Sequence, residues 1–393
     1  MKILHIIPSL NPADGGPPRV ALRLAAGAAL LGHEPTILYH DTPSAHAAIE
    51  QQSAEIPGCD RVKYHILPPQ PRLENLFPGE VHKKIDNIID NFDIVHIHTI
   101  WDGISRAAMM SAHRHSIPFV VLANGMLDPW SLAQKRLKKS LFMNLGLRKL
   151  LNRAAFFQAL NLDEQAGFLR AGITSRIEII PNGIDPDQFA SLPPPGEFYA
   201  AHPELAGRPY IVFMGRLHYK KGLDFLAAAF IKLAPKHPDV ELVVAVTDDG
   251  AQAAFERDIH AAGLTDRTFL LGGVYGLDRI RLLRDAACFC LPSRHEGFSV
   301  AILEAMACGT PVVITSACNF PKVAEILAGD VVPLDVTAIA KALSRILTVL
   351  VLGYRMSYEA RMLLFLDYTW PEISKQLVAA YERALHTKPV TTP

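Results

Sequence analysis

Neither sign of charge prevails in this chain of 393 residues: 39 lysines and arginines balance 39 aspartates and glutamates, for a formal net charge of zero. That balance removes the basic footprint a nucleic-acid binder needs, so no nucleic-acid partner is expected. No apolar run reaches the roughly 18–20 residues that would span a bilayer. Cysteine is scarce and odd in number. Cys59, Cys288, Cys290, Cys308 and Cys318 show no CxxC spacing and read as buried thiols of a reducing compartment. No strand is followed by GxGxxG, which disfavours a nicotinamide-dependent oxidoreductase. The start, MKILHIIPSL, lacks a small-residue cleavage site and reads as a first strand, so a cytoplasmic location is expected.

What is present is an ordinary globular composition, 50% hydrophobic and 8% aromatic. Its length suggests two domains at roughly 100–200 residues each. Short β-branched runs alternate with longer helical patterns: Lys2–Ile7, Thr36–Tyr39, Val62–Leu67, Asp93–Ile97, Phe119–Leu122, Ala154–Leu160 and Ile177–Ile180. After a stretch dense in proline and turn residues the alternation restarts, with strands at Tyr210–Met214, Val240–Val246, Thr268–Leu271, Ala287–Leu291 and Val312–Ile314. Such alternation predicts parallel α/β layers. We therefore expect a Rossmann-like domain over 1–185, a linker over 186–207 and a second Rossmann-like domain over 208–366. A C-terminal helix within 367–393 is expected to pack back on the first domain. Doubly wound sheets bind ligands at the carboxyl ends of their strands, so two facing halves would place a site in the cleft between them.

The strongest local signal is the run from Glu296-Gly-Phe-Ser through Glu304-Ala-Met-Ala-Cys-Gly309-Thr-Pro311, which follows a strand and opens a helix. A loop of this kind directs backbone N–H groups at an anion, and the helix dipole favours negative charge there. Glu296 in the loop and Glu304 in the helix can face one cleft and accept hydrogen bonds from sugar hydroxyls. A single glutamate at a helix start more often caps it. Two of them flanking a Gly-Phe-Ser loop weaken that reading. A second signal is Gly215-Arg216-Leu-His-Tyr-Lys220-Lys221-Gly222 after the strand at Tyr210, and a third is Gly15-Gly16 after the first strand.

Together with Asn124-Gly125-Met-Leu-Asp128-Pro-Trp130, Ile180-Pro-Asn182-Gly183-Ile-Asp185 and Tyr368-Thr-Trp370, these motifs resemble the retaining nucleotide-sugar glycosyltransferases of family 4. Those enzymes have the GT-B fold of two facing Rossmann-like domains, and the resemblance covers nearly the whole chain. It implies that Arg216 and Lys221 bind the donor diphosphate, where a cation pair suits a leaving group gaining negative charge without a metal cofactor. Glu296 would contact the transferred sugar. The amides of Gly297, Phe298 and Ser299 would hold its hydroxyls and the phosphates, Glu304 the ribose, and Val274 and Tyr275 the base. Gly15 and Gly16 would let the backbone approach the diphosphate.

On the acceptor side we single out His98, Trp101 and Asn124. His96 and His98 alternate along the strand and are expected to point to opposite sides, so that one packs while His98, at the carboxyl end of its strand, reaches the cleft. Many relatives carry His-Gly where this chain has Asn124-Gly125. Asparagine hydrogen bonds but is no base near neutral pH, which fits the family view that a donor phosphate oxygen takes the acceptor proton. The segment 135–153 carries seven basic residues and no acid, interleaved with leucines. It reads either as a peripheral contact with the inner face of a membrane, serving a lipid-linked glycan acceptor, or as a solvated helical face. Two rivals remain: a GT-B sugar-nucleotide epimerase, which needs no acceptor, and a nucleotide-sugar-binding protein without turnover, which detectable donor hydrolysis or transfer would exclude.

Overall fold

The computed structural model describes residues 1–69, 79–205, 207–248 and 250–386. The chain divides into two compact units, one of 1–182 with the segment from Trp370 onward, the other Gly183–Thr369. The first holds seven parallel strands: β1 (Lys2–Ile6), β2 (Glu34–His40), β3 (Lys63–Leu67), β4 (Ile94–Ile97), β5 (Phe119–Leu122), β6 (Phe156–Ala159) and β7 (Ile177–Ile179). Their order across the sheet is β3-β2-β1-β4-β5-β6-β7. The central strands are buried throughout, because helices cover both faces of a parallel sheet and leave no side for alternating polar residues.

The second unit repeats the plan with six strands: β8 (Tyr210–Leu217), β9 (Glu241–Asp248), β10 (Thr268–Gly272), β11 (Cys288–Leu291), β12 (Val312–Thr315) and β13 (Gly329–Val332), ordered β10-β9-β8-β11-β12-β13. In both sheets the order reverses beside the first strand, between β1 and β4 and between β8 and β11. Ligands collect at such switch points in doubly wound folds.

Two expectations about organisation change. Segment 186–207 is not a free linker: it carries short helices at Pro186–Ala190 and Glu197–Ala201, and Phe189, Phe198 and Leu205 are buried in the core of the second unit. Asp285 holds it by accepting from the amides of Gly196 and Phe198 at 2.8 and 2.9 Å. The tail breaks twice, giving helices Val336–Thr348, Leu350–Asp367 and Trp370–His386. The last of these packs on the helix Gly16–Leu30, where a side chain at Gly27 would collide with Ser374. Residues 387–393 lie outside the described residues. Among the described residues, no single helix is long and apolar enough to cross a membrane.

Candidate active site

In the second unit, β8 carries Arg216 to its carboxyl end, where the side chain is exposed. A short turn, Tyr219–Lys221, follows, and Gly222 opens the helix Leu223–Leu233 with φ of 71°. A Cβ at Gly222 would lie 1.9 Å from the carbonyl oxygen of Pro292, so the turn after β8 is pressed against the loop after β11. Only glycine meets both the left-handed backbone and the close approach.

That contact joins two sequence motifs. Lys221 Nζ lies 2.7 Å from Glu296 Oε1, and Ser293 Oγ donates to the same oxygen at 2.6 Å. Glu296 is otherwise tied through its backbone: its amide donates to Ala317 O at 3.0 Å, and Asn319 Nδ2 donates to its carbonyl at 2.9 Å. The carboxylate is nearly buried, so its charge needs these partners. The loop continues through Gly297, where a Cβ would meet nothing within 4 Å. Phe298 is anchored against Phe320 and Tyr368, with ring centroids 5.6 and 6.1 Å away. Ser299 precedes the helix Val300–Ala307 without capping it through its side chain.

Glu304 lies in that helix and pairs with Arg279 Nη1 at 3.0 Å. Arg279 comes from the helix Gly276–Asp285, and both side chains are largely buried. Val274 packs partly on the core of this unit, while Tyr275 is 71% exposed. The two glutamates thus sit on one loop-helix segment but face different cations. Ser293, Asn319 and Arg279 were not legible as site residues. Ser293 carried a faint signal, three positions before Glu296, whereas Arg279 and Asn319 lie on other elements and carried none.

In the first unit, Gly15 (φ 98°) sits at the start of the helix Gly16–Leu30, after the loop and the short turn Pro12–Asp14 that follow β1; there is open space where a Cβ of either Gly15 or Gly16 would be. His98 departs from expectation. It is fully buried, as are His5 and His96. Residues two apart on a strand share a face, so His96 and His98 lie together, their rings stacked at 4.4 Å and 19°. His5 Nδ1 is 2.9 Å from His98 Nε2, and His96 Nδ1 is 2.6 Å from the Tyr381 hydroxyl. Burial lowers all three imidazoles, His5 to about 3 and the others well below their ordinary 6.5. These are neutral core histidines, and burial makes each a weaker base than a free imidazole.

Ligand atoms of the three histidines lie within 4.8 Å of one another. The rings of His5 and His96 are tilted by 33°, and His5 Nε2, His96 Nε2 and His98 Nδ1 are buried without a hydrogen-bond partner. The bond between His5 and His98 occupies a nitrogen on each ring. The arrangement is a buried, hydrogen-bonded histidine cluster.

Asn124 is likewise committed: it takes φ of 49°, and its Nδ2 donates to His98 O at 3.0 Å. Left-handed backbone suits asparagine among the non-glycine residues. Glu164, missed in the sequence, holds the same loop by accepting from the amides of Gly125 and Leu160, each at 2.7 Å. Burial pushes its carboxyl up to about 7. Trp101 is half-buried, with Lys139 Nζ 5.1 Å above its ring. The leucines of segment 135–153 divide: Leu147 and Leu151 enter the core, while Leu137, Leu141 and Leu145 are 88%, 56% and 76% exposed.

Comparison with known proteins finds relatives along the chain. The family model described as Glycosyltransferase Family 4 matches residues 14–188, and that described as Glycosyl transferases group 1 matches 208–349. The phosphatidyl-myo-inositol mannosyltransferase of Mycolicibacterium smegmatis is 28% identical over 97% of this chain and 94% of its own. The GDP-mannose:cellobiosyl-diphosphopolyprenol alpha-mannosyltransferase of Xanthomonas campestris is 25% identical, with 98% of each chain covered. Other curated relatives are matched over about half their length, 55% for an uncharacterized glycosyltransferase of Methanocaldococcus jannaschii. In fold the chain is similar to Anabaena HepE, crystallised with UDP and glucose, at a TM-score of 0.77, 20% identity and coverage of 98% and 100%. Two parallel-sheet units and two family models that together span most of the sequence identify the chain as a GT-B protein belonging to the group 1, family 4 glycosyltransferases.

Proposed function

We propose that the protein transfers a sugar from a nucleotide diphosphate sugar to a glycan or lipid-linked glycan acceptor, with retained anomeric configuration and without a metal. The observation that carries this reading is the contact of Lys221 with Glu296 at the carboxyl ends of β8 and β11. It joins a cation suited to a diphosphate with a carboxylate suited to sugar hydroxyls. Arg216 and Lys221 stabilise the leaving diphosphate, and Glu296 holds the sugar. Glu304, fixed by Arg279, takes the ribose, with Val274 and Tyr275 at the base. The acceptor oxygen bonds to the anomeric carbon on the face from which the diphosphate departs, and its proton passes to the departing phosphate oxygen. A buried His98 of lowered basicity and an Asn124 bonded to its carbonyl support that route, because neither offers a strong base.

The acceptor class draws on the printed activities of the mycobacterial and Xanthomonas relatives and on a lipopolysaccharide core mannosyltransferase of Rhizobium leguminosarum bv. viciae, 32% identical over 47% of this chain. Synthesis of cell-surface polysaccharide or lipopolysaccharide is the corresponding role. Five buried, unpaired thiols suit the reducing cytoplasm. The exposed Leu137, Leu141 and Leu145 among lysines and arginines suit a peripheral contact with anionic lipid at the inner face of the membrane. The test is thermal unfolding with UDP, GDP, ADP and their sugars. A cognate ligand at about 100 times its Kd stabilises by about 2.7 kcal/mol. Transfer with that donor should survive EDTA. No shift with any nucleotide, or EDTA inhibition reversed by magnesium, refutes the corresponding part.

A further inference from the structure

The loop that follows β11 also contains Arg294, two positions before Glu296, and its contacts converge on the turn that carries Lys221. Its amide donates to Lys220 O at 2.7 Å, and its Nη1 donates to Tyr219 O at 3.1 Å. The guanidinium fork grips Asp224, Nη1 to Oδ1 at 2.7 Å and Nη2 to Oδ2 at 2.5 Å. The same group lies 4.0 Å above the Tyr219 ring and 4.8 Å from that of Phe225. One side chain therefore touches the turn's start, its following helix and its aromatic lid.

Stability alone does not account for this convergence. The Asp224 side chain is 54% exposed, and ion pairs at such exposure contribute about 0–1 kcal/mol. What the contacts do fix is direction. The turn is three residues long, and Lys221 at its end meets Glu296 on the opposite loop. A planar, bidentate fork sets both distance and rotation between two loops, which a lysine's single ammonium does not.

We propose that Arg294 and Asp224 form a positioning clamp that holds the 219–222 turn against the Glu296 loop, presenting Lys221 to the donor diphosphate at a set reach from Glu296. The inference rests on the donor-site reading above. It predicts a phosphate-specific defect when the clamp opens: the diphosphate loses a preorganised cation, while the nucleoside end, near Glu304 and Arg279, keeps its contacts.

The experiment compares wild type with Arg294→Lys, Arg294→Met and Asp224→Asn by hydrogen exchange on the protein alone and by titration with UDP, GDP, ADP and the matching nucleosides. In all three variants the amides of 219–224 should exchange about tenfold faster, and in Asp224→Asn, which removes only the half-exposed carboxylate, the thermal midpoint should change little. Affinity for the nucleoside diphosphate that wild type prefers should fall about tenfold, with nucleoside affinity unchanged. A ratio of diphosphate to nucleoside affinity that stays at the wild-type value in Arg294→Met overturns the clamp, as does loss of both together with a collapsed midpoint. Were wild type to bind none of UDP, GDP and ADP, the donor-site reading would fall. The exchange data would still decide on the clamp, and unchanged exchange in the variants would overturn it.

Discussion

Mild acid should loosen the first unit through the His5–His96–His98 cluster. All three imidazoles are held neutral in the folded chain by burial, with His5 lowered to about 3. In the unfolded chain each titrates near its ordinary value of about 6.5. The unfolded state therefore binds protons more tightly, and stability present above pH 6.5 is lost progressively as pH falls toward 3. Glu164 acts with the opposite sign. Its carboxyl is raised to about 7, so the folded state holds its proton more tightly and stability is gained as pH falls from there toward the ordinary carboxylate range. Between pH 5 and 6 the three histidines contribute close to three protons and Glu164 removes about one. The net is about two, or roughly 2.7 kcal/mol per pH unit. That is large against the 5–15 kcal/mol of a typical domain.

The assay is urea unfolding followed by tryptophan fluorescence, because Trp101, Trp130 and Trp370, the chain's 3 tryptophans, all belong to the first unit. His5→Leu should lower the slope to about one proton, and Glu164→Gln should raise it to about three. A wild-type slope near zero, or one that neither substitution moves, would refute the assignment of neutral histidines to the core.

Arg216→Ala and Lys221→Ala should each lower turnover by about a hundredfold or more with the fold intact, because each removes a charge aimed at the leaving diphosphate; near wild-type rates in both would remove them from the donor site. Glu296→Gln should depress transfer while nucleoside diphosphate affinity barely changes, whereas Glu304→Gln should weaken that affinity by about tenfold to a hundredfold. Calorimetric titration beside a transfer assay separates the two, and the reverse pattern would exchange their roles. Gly222→Ala should lower the thermal midpoint and turnover together, since its Cβ would fall 1.9 Å from Pro292 O on left-handed backbone; a wild-type midpoint would mean that the two loops are not pressed together.

Local signals carried most of the fold. β8 and β11 announce themselves as apolar runs followed by glycine-containing turns, and the loop from Glu296 to the helix Val300–Ala307 is a single continuous stretch whose chemistry can be read in order. β13 escaped because Gly329 and Asp330 interrupt its apolar run at the edge of the sheet, where less burial is required. Segment 186–207 misled because its prolines resemble a linker, while the anchors that make it structural, Phe189, Phe198 and Leu205, are spaced too irregularly to suggest an element.

Side-chain roles were legible only where both partners lay in one stretch. Ser293 and Glu296 are three residues apart, but Arg279 reaches Glu304 from another helix, and Arg294 reaches Asp224 across 70 positions. Asn124 shows why motif matching alone stops short. Where the family resemblance leads one to expect histidine, the residue type says only that an imidazole is missing. The structure supplies the rest: the amide holds the carbonyl of His98, the backbone turns left-handed, and Glu164 secures the next amide. A histidine placed there would have to give up that carbonyl or twist its ring toward it. The substitution is therefore coupled to the buried cluster beneath it, and His98 and Glu164 must be varied along with Asn124 before its effect on transfer can be attributed to the loss of an imidazole.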